Sequence, residues 1–184
     1  MDALKYDSLG NNRVTVKTGF EFLLTDQSFL SALNTLKSLV PVSIPLRVEK
    51  DGEPMFFHMR RTRRDHFSFM HSARESGVSF CKPVINIRDP ETRRFYLVTT
   101  HLPVKPLGDY LISPVSNKRK LKVLKQIAAE LVKLNKTGQR HGDVTHSNIY
   151  VGHGDGVMLC NPELDEEVVE HIQGDLEQFR EMLF

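Results

Sequence analysis

Residues 140 to 163, RHGDVTHSNIYVGHGDGVMLCNPE, constrain this chain more tightly than any other stretch. Ile149 and Val151 alternate on one side of the run GHGDG, and Val157 and Leu159 alternate on the other. Period-two apolar pairs about a Gly- and Asp-containing turn read as a short β-hairpin, because glycine supplies positive φ without steric cost. A hairpin doubles its chain back, so Asn148 at the entry and Asn161 at the exit come close together. Directly upstream, Leu121, Leu124, Ile127, Ala128, Leu131 and Leu134 recur at helical spacing over residues 118 to 136, with Gly138 as a ready C-cap. Long helix, polar loop and hairpin therefore follow one another in the second half.

The first half reads as a strand-rich layer broken by a helix. RVTVKTGFEFLL, residues 13 to 24, is β-branched and aromatic and predicts a strand; Thr25 or Asp26 then caps a helix over QSFLSALNTLKSLV, with Phe29, Leu33, Leu36 and Val40 on one face and a stop before Pro41. Ile44, Leu46 and Val48 alternate into the turn Lys50-Asp51-Gly52-Glu53, and the pattern resumes through Phe57 and Met59, which predicts a hairpin. Asp65 caps a short helix, HFSFMHSARES, that Gly77 ends. Two more strands follow, KPVINIRD and RRFYLVTTHL, joined by DPET. The Pro-containing connection LPVKPLGDYLISPVSN leads into the second half, and GDLEQFREMLF closes on a helix face of Leu176, Phe179, Met182 and Leu183.

A chain of 184 residues can bury one sizeable core or two small lobes sharing an interface. No apolar run approaches the roughly 18 to 20 residues of a membrane span. The start, MDALKYDSLGNN, lacks the basic and apolar regions of a cleavable signal peptide, which predicts a cytoplasmic or other reducing compartment. Cys81 and Cys160 are far apart, each among apolar neighbours, and read as buried free thiols rather than a disulfide or metal pair. His141, His146 and His153 crowd the loop, but spacings of five and seven match no zinc pattern. A net charge of +2 is too mild to argue for nucleic acid. Basic residues do cluster, in MRRTRRDH, RDPETRR and NKRKLKVLK, either as solvated faces or as a surface for phosphate or carboxylate.

In its order of elements, and above all in His141-Gly142-Asp143 followed by Asn148, the chain resembles the protein-kinase-like superfamily. There the loop H-R-D-x-x-x-x-N follows a long helix; its Asp accepts the substrate hydroxyl proton, its Asn holds magnesium, and a later D-F-G Asp holds the metal bridging the phosphates. The resemblance spans about residues 42 to 184, and its specific part is 141 to 163. It implies an α+β, compact two-lobed protein-kinase-like fold with a truncated C-lobe: residues 1–102 a β-rich N-lobe with two helices, 103–184 a minimal helical C-lobe with the loop. It gives Asp143 the base position, Arg60 the place of the strand lysine, Asn148 that of the metal-binding amide and Asn161 that of the D-F-G Asp. Glu163, two residues on, is a substitute carboxylate.

Several departures bear on activity. Gly142 replaces the Arg that would grip a phosphorylated activation loop, and Asn161-Pro162-Glu163 stand where D-F-G would be. No G-x-G-x-x-G roofs the phosphates. Arg60 lacks the compact ammonium of lysine, and its helix partner is missing, since the middle of that helix reads Phe67, Phe69 and Met70. Losing one electrostatic donor costs about 2.7–4 kcal/mol of transition-state stabilisation, and here three groups change together. The resemblance thus implies a pseudokinase that binds another protein as scaffold or modulator, needs neither ATP nor magnesium, and offers Arg61, Arg63 and Arg64 to an acidic or phosphorylated partner. One alternative is a divergent ATP-dependent phosphotransferase acting on a protein or small molecule, with Asp143 as base, Asn148 and Glu163 on the metal and Arg60 on the phosphates. Another is a basic adaptor binding nucleic acid or a phosphorylated ligand through residues 60 to 64. Alternation along the strand turns Arg60 inward beside His58 and away from Met59.

Overall fold

A computed structural model describes residues 4–38, 43–101, 104–164 and 174–183. The fold is α+β with antiparallel sheets, and the chain divides into two compact units, residues 1–69 with 82–101, and 70–81 with 102–184. In the first unit β1 (Leu4–Leu9) and β2 (Asn12–Lys17) form a hairpin, followed by a 3-10 turn (Glu21–Thr25) and α1 (Gln27–Lys37). A second hairpin, β3 (Ser43–Lys50) and β4 (Glu53–Thr62), precedes α2 (His66–Glu75), and β5 (Pro83–Asp89) and β6 (Arg94–Thr100) complete a six-stranded sheet of order β1-β2-β5-β6-β4-β3.

Alternation along the strands builds the core of this unit. Val14 and Val16, Leu46 and Val48, Phe57 and Met59, and Ile85 and Ile87 turn to one face, where Leu23, Phe29, Leu33 and Leu36 cover them. Asp26 caps α1 by accepting from the Phe29 N–H at 2.9 Å, and Asp51 and Gly52 both adopt positive φ, as a two-residue hairpin turn requires. Residues 13 to 24, expected as one strand, are two elements. β2 ends at Lys17, Gly19 takes φ +91, and Leu23 and Leu24 reach the core from a 3-10 turn. Val40 and Pro41 lie outside the described residues. On the opposite sheet face the register aligns Arg13, Arg88 and Phe95 in one row, and Thr15, Asn86, Leu97 and Arg60 in the next. Asp65 caps α2 as expected, its carboxylate accepting from Ser68 N (3.1 Å) and Ser68 Oγ (2.7 Å), and Asn86 Nδ2 ties it to β5 at 3.0 Å.

The second unit holds β7 (Lys105–Pro106), α3 (Leu107–Ile112), α4 (Asn117–Lys136), β8 (Ile149–Val151), a 3-10 turn (His153–Asp155), β9 (Val157–Leu159) and α5 (Asp175–Met182), with sheet order β7-β8-β9. The Pro-containing connection thus carries β7 and α3. The buried face of α4 is Val123, Ile127, Glu130, Leu131 and Leu134, while Leu121 is 53% exposed. At about 100° per residue, Leu121 stands some 200° around the helix from Val123, so it could not share that face. Glu130 belongs to it because its carboxylate accepts from Ser79 N (2.8 Å) and Lys133 Nζ (2.7 Å). In α5, Phe179 is buried and Leu176 exposed.

Residues 79 to 81 run parallel beside β9: Leu159 N donates to Ser79 O (2.8 Å) and Cys81 N to Leu159 O (2.9 Å). That pairing brings Cys81 to Cys160, and the two form a disulfide with Cα atoms 5.5 Å apart. The expectation of free thiols is thus corrected. Each cysteine has apolar neighbours because it follows a buried member of the Phe80–Leu159 bridge, and 79 residues of separation say nothing of distance across a strand pair. The expectation of a reducing compartment loses the support that free thiols gave it, since disulfides persist in oxidising surroundings. No described helix is long and apolar enough to cross a membrane.

The β8–β9 connection is clamped from outside. Asp155, buried at φ +66, accepts from Tyr110 OH on α3 (2.9 Å) and twice from Arg119 on α4, from Nε (2.9 Å) and Nη2 (2.6 Å). The guanidinium holds the Asp155 carboxyl below its ordinary pKa, while burial, aided by that carboxylate, pushes the Tyr110 phenol up. Asp155→Ala removes three bonds and the residue type that tolerates left-handed backbone, so thermal denaturation should show a Tm lower by several degrees; Asp155→Asn, which keeps an acceptor and the backbone preference, should lose less.

Candidate functional site

The loop after α4 is held by its backbone. Gly138 reverses the chain at φ +77, and Gly142 adopts φ +75, a conformation an arginine would occupy only with strain. The N–H groups of His141 and Gly142 donate to the two carboxylate oxygens of Asp175, at 2.8 and 2.9 Å, and Val144 N donates to Gln178 Oε1 at 2.9 Å. Asp175, 1% exposed, opens α5, where the helix dipole favours a negative charge. The first turns of α5 are therefore the mount for residues 141 to 144.

His141 is fully buried and stacks on Phe80, ring centroids 5.8 Å apart. Its Nε2 lies 2.9 Å from Cys160 O, and Asp143 N points to Nδ1 at 3.4 Å. Those partners assign the neutral tautomer with its proton on Nε2, leaving Nδ1 as acceptor. Burial holds the imidazole below its ordinary pKa.

Asp143, Asn148 and Asn161 form one chain of side chains. Asn148 Nδ2 donates to the Asp143 carboxylate and to Asp143 O (3.2 Å), and Asn161 Nδ2 donates to Asn148 Oδ1 (3.1 Å). The hairpin thus brings 148 and 161 together as its pattern implies. Backbone bonds from Cys160 N to Asn148 O (2.8 Å) and from Glu163 N to His141 O (2.7 Å) close the ring of contacts, and Asn161 sits at φ +53. Chemically the set offers one half-buried carboxylate and two neutral amides. Magnesium demands oxygen donors, preferably charged, in strict geometry. An N–H aimed at the Asn148 oxygen and a neutral residue at 161 do not fit that ion in this arrangement. Among the described residues no group of three or more His, Cys, Asp or Glu stands together to hold a metal.

The arginines singled out in the sequence lie in the first unit. Arg60 is half-buried on the β4 face that also carries His58, opposite the buried Met59. Burial first, and then the charges of His101 and Arg60, hold His58 below its ordinary pKa. Arg61 Nη1 donates to Leu36 O in the last turn of α1 (3.1 Å), so it closes a helix end, while Arg63 and Arg64 are exposed at the bend after β4. Sequence reasoning passed over Asp175, Gln178, Tyr110, Arg119 and Asp155; the only local signal was Gly174-Asp175 at a helix start, which says nothing of what the carboxylate holds. Compared with known proteins, the sequence matches no family model and no curated protein.

Two predictions follow from this geometry. Asp175→Ala leaves two buried N–H groups without an acceptor and should cost about 2–6 kcal/mol in chemical denaturation, at about 1–3 kcal/mol per orphaned group, with Asp175→Asn losing less. A histidine kept neutral when folded binds fewer protons than the unfolded chain below about pH 6.5, so its contribution is full above that pH and declines on acidification. The slope is up to about 1.4 kcal/mol per pH unit for one proton. His58 shifts in the same direction, so in stability measured from pH 7.5 to 5 part of this slope should survive in His58→Gln and disappear when His141→Gln is added.

Proposed function

We propose that this chain is a small kinase-like domain that has kept the phosphoryl-transfer loop as a structural brace and acts by binding another protein. The observation that carries this reading is the closed chain Asp143–Asn148–Asn161, in which the groups that would hold metal and substrate are bonded to one another. The order α4, loop, β8–β9 hairpin and Asn161 supports the kinase-like part, since the His141-Gly142-Asp143 and Asn148 spacing falls on that order. The amide at 161 supports the loss of turnover. An Asp there would add a second negative charge beside Asp143 and bring an oxygen, not a donor, to Asn148 Oδ1. The exposed Arg63 and Arg64 are what the reading offers an acidic or phosphorylated partner.

Thermal shift with ATP, with and without magnesium, tests the reading. The expected outcome is no magnesium-dependent change in the natural chain, and a lower Tm for Asp143→Ala because Asn148 loses its carboxylate acceptor and keeps only the Asp143 carbonyl. Asn161→Asp should also melt lower without metal, since oxygen then faces oxygen. A magnesium-dependent rise of several degrees in the natural chain, with phosphate transfer abolished by Asp143→Ala at unchanged Tm, would overturn the proposal in favour of an active phosphotransferase using Asp143 as base.

A further inference from the structure

A second polar site lies in the first unit, on the sheet face opposite α1. Arg13 on β2 and Arg88 on β5 are direct cross-strand partners, and such pairs hold their Cβ atoms about 4.5–5.5 Å apart. Like charges so placed repel, and no described carboxylate pairs with either guanidinium. Arg88 lies over the ring of Phe95, 5.9 Å from its centroid. The two arginines, both exposed, line an open cavity of about 660 Å³ with Ser8, Thr15, Asp65, Asn86 and Phe95. Asn86 is 6% exposed; its Nδ2 is fixed on Asp65 and its Oδ1 has no hydrogen-bond partner.

We propose that this cavity binds a phosphate monoester, with the phosphate across Arg13 and Arg88 and the organic part along Phe95. Two unpaired guanidiniums on neighbouring strands call for a counter-ion of charge near two and more than two oxygens. A phosphate monoester supplies both at neutral pH, whereas a carboxylate is saturated by one bidentate arginine. The one acid among the described residues of the wall is turned to other work. Asp65 accepts from Ser68 N, Ser68 Oγ and Asn86 Nδ2, so its lone pairs are engaged and the phosphate sits toward the arginines. The hydroxyls of Ser8 and Thr15 and the free Asn86 oxygen suit a ligand that carries donors beside the phosphate.

The same chemistry is found on a free phosphorylated molecule and on a phosphorylated side chain, and titrations separate them. Phenyl phosphate, inorganic phosphate, benzoate and a phosphotyrosyl peptide with its unphosphorylated twin would be titrated calorimetrically into the full chain near 0.15 M salt. Phenyl phosphate should bind at least ten-fold tighter than benzoate, and Arg13→Gln and Arg88→Gln should each weaken it at least ten-fold. A peptide bound tighter than phenyl phosphate places the source on a protein; equal or weaker binding places it on a free ligand. A stability readout guards against misfolding: removing one of two repelling charges should leave the Tm of Arg13→Gln equal to or above the natural chain without phosphate, and below it with phenyl phosphate present. Undiminished binding in both variants, or no phosphate-dependent binding at all, would overturn the site. Asp143→Ala should bind phenyl phosphate normally, so failure here and failure of the proposed function are told apart.

Discussion

The second unit depends on one buried carboxylate. Asp175 accepts the N–H groups of His141 and Gly142, and those two bonds fix where the loop starts. From there the order spreads by shared partners. His141, once placed, donates to Cys160 O and receives Asp143 N; Cys160 N reaches Asn148 O; and Cys160 itself is bonded to Cys81, whose segment is held by Glu130 on α4. A buried carboxylate is tolerated here because each oxygen has an N–H and because it opens α5, where the dipole favours its charge. Without it, buried loop amides would face no acceptor.

Under the proposed function, the same frame explains why catalytic residue types persist beside non-catalytic ones. A loop with Asp143 and Asn148 is useful to the fold whether or not it works on phosphate, because the Asn148 amide satisfies both the side chain and the carbonyl of Asp143. What differs between the two uses is position 161. With a divalent ion present, a carboxylate there is stabilised by the metal; without one, it would repel Asp143 and confront the Asn148 oxygen. An amide completes the chain with no cation.

Much of the fold was legible because the decisive interactions are local. The Asp26 and Asp65 caps, the Asp51-Gly52 turn, the α4 helix and the meeting of Asn148 with Asn161 each follow from residues within a few positions or across one tight hairpin. The failures share the opposite property. Cys81 pairs with Cys160 only because residues 79 to 81 run alongside β9, and Asp175 finds its partners more than thirty residues upstream. Glu130 sits on the buried face of α4 because Ser79, 51 residues upstream, supplies a backbone donor, and no local pattern marks that partner. Leu121 is the exception, a local error of helix phase: following the phase through Val123 turns it away from the buried face. Of the candidate site, the loop and hairpin residues were readable; their mount on α5 was not.

Under the proposed function, the departure at 142 has a geometric root and the one at 161 a geometric and a chemical one. Gly142 and Asn161 both sit in left-handed backbone, at φ +75 and +53. Glycine takes that region freely and asparagine better than most, whereas arginine does not. A glycine at 142 follows from the anchor: with both loop amides turned to Asp175, residue 142 has positive φ, and the backbone selects glycine. At 161 the backbone selects Asn or Asp, and the partner decides between them, since Asn148 Oδ1 needs a donor. The residue choices at 142 and 161 then follow from how the loop is anchored, and an arginine placed at 142 would strain that anchor.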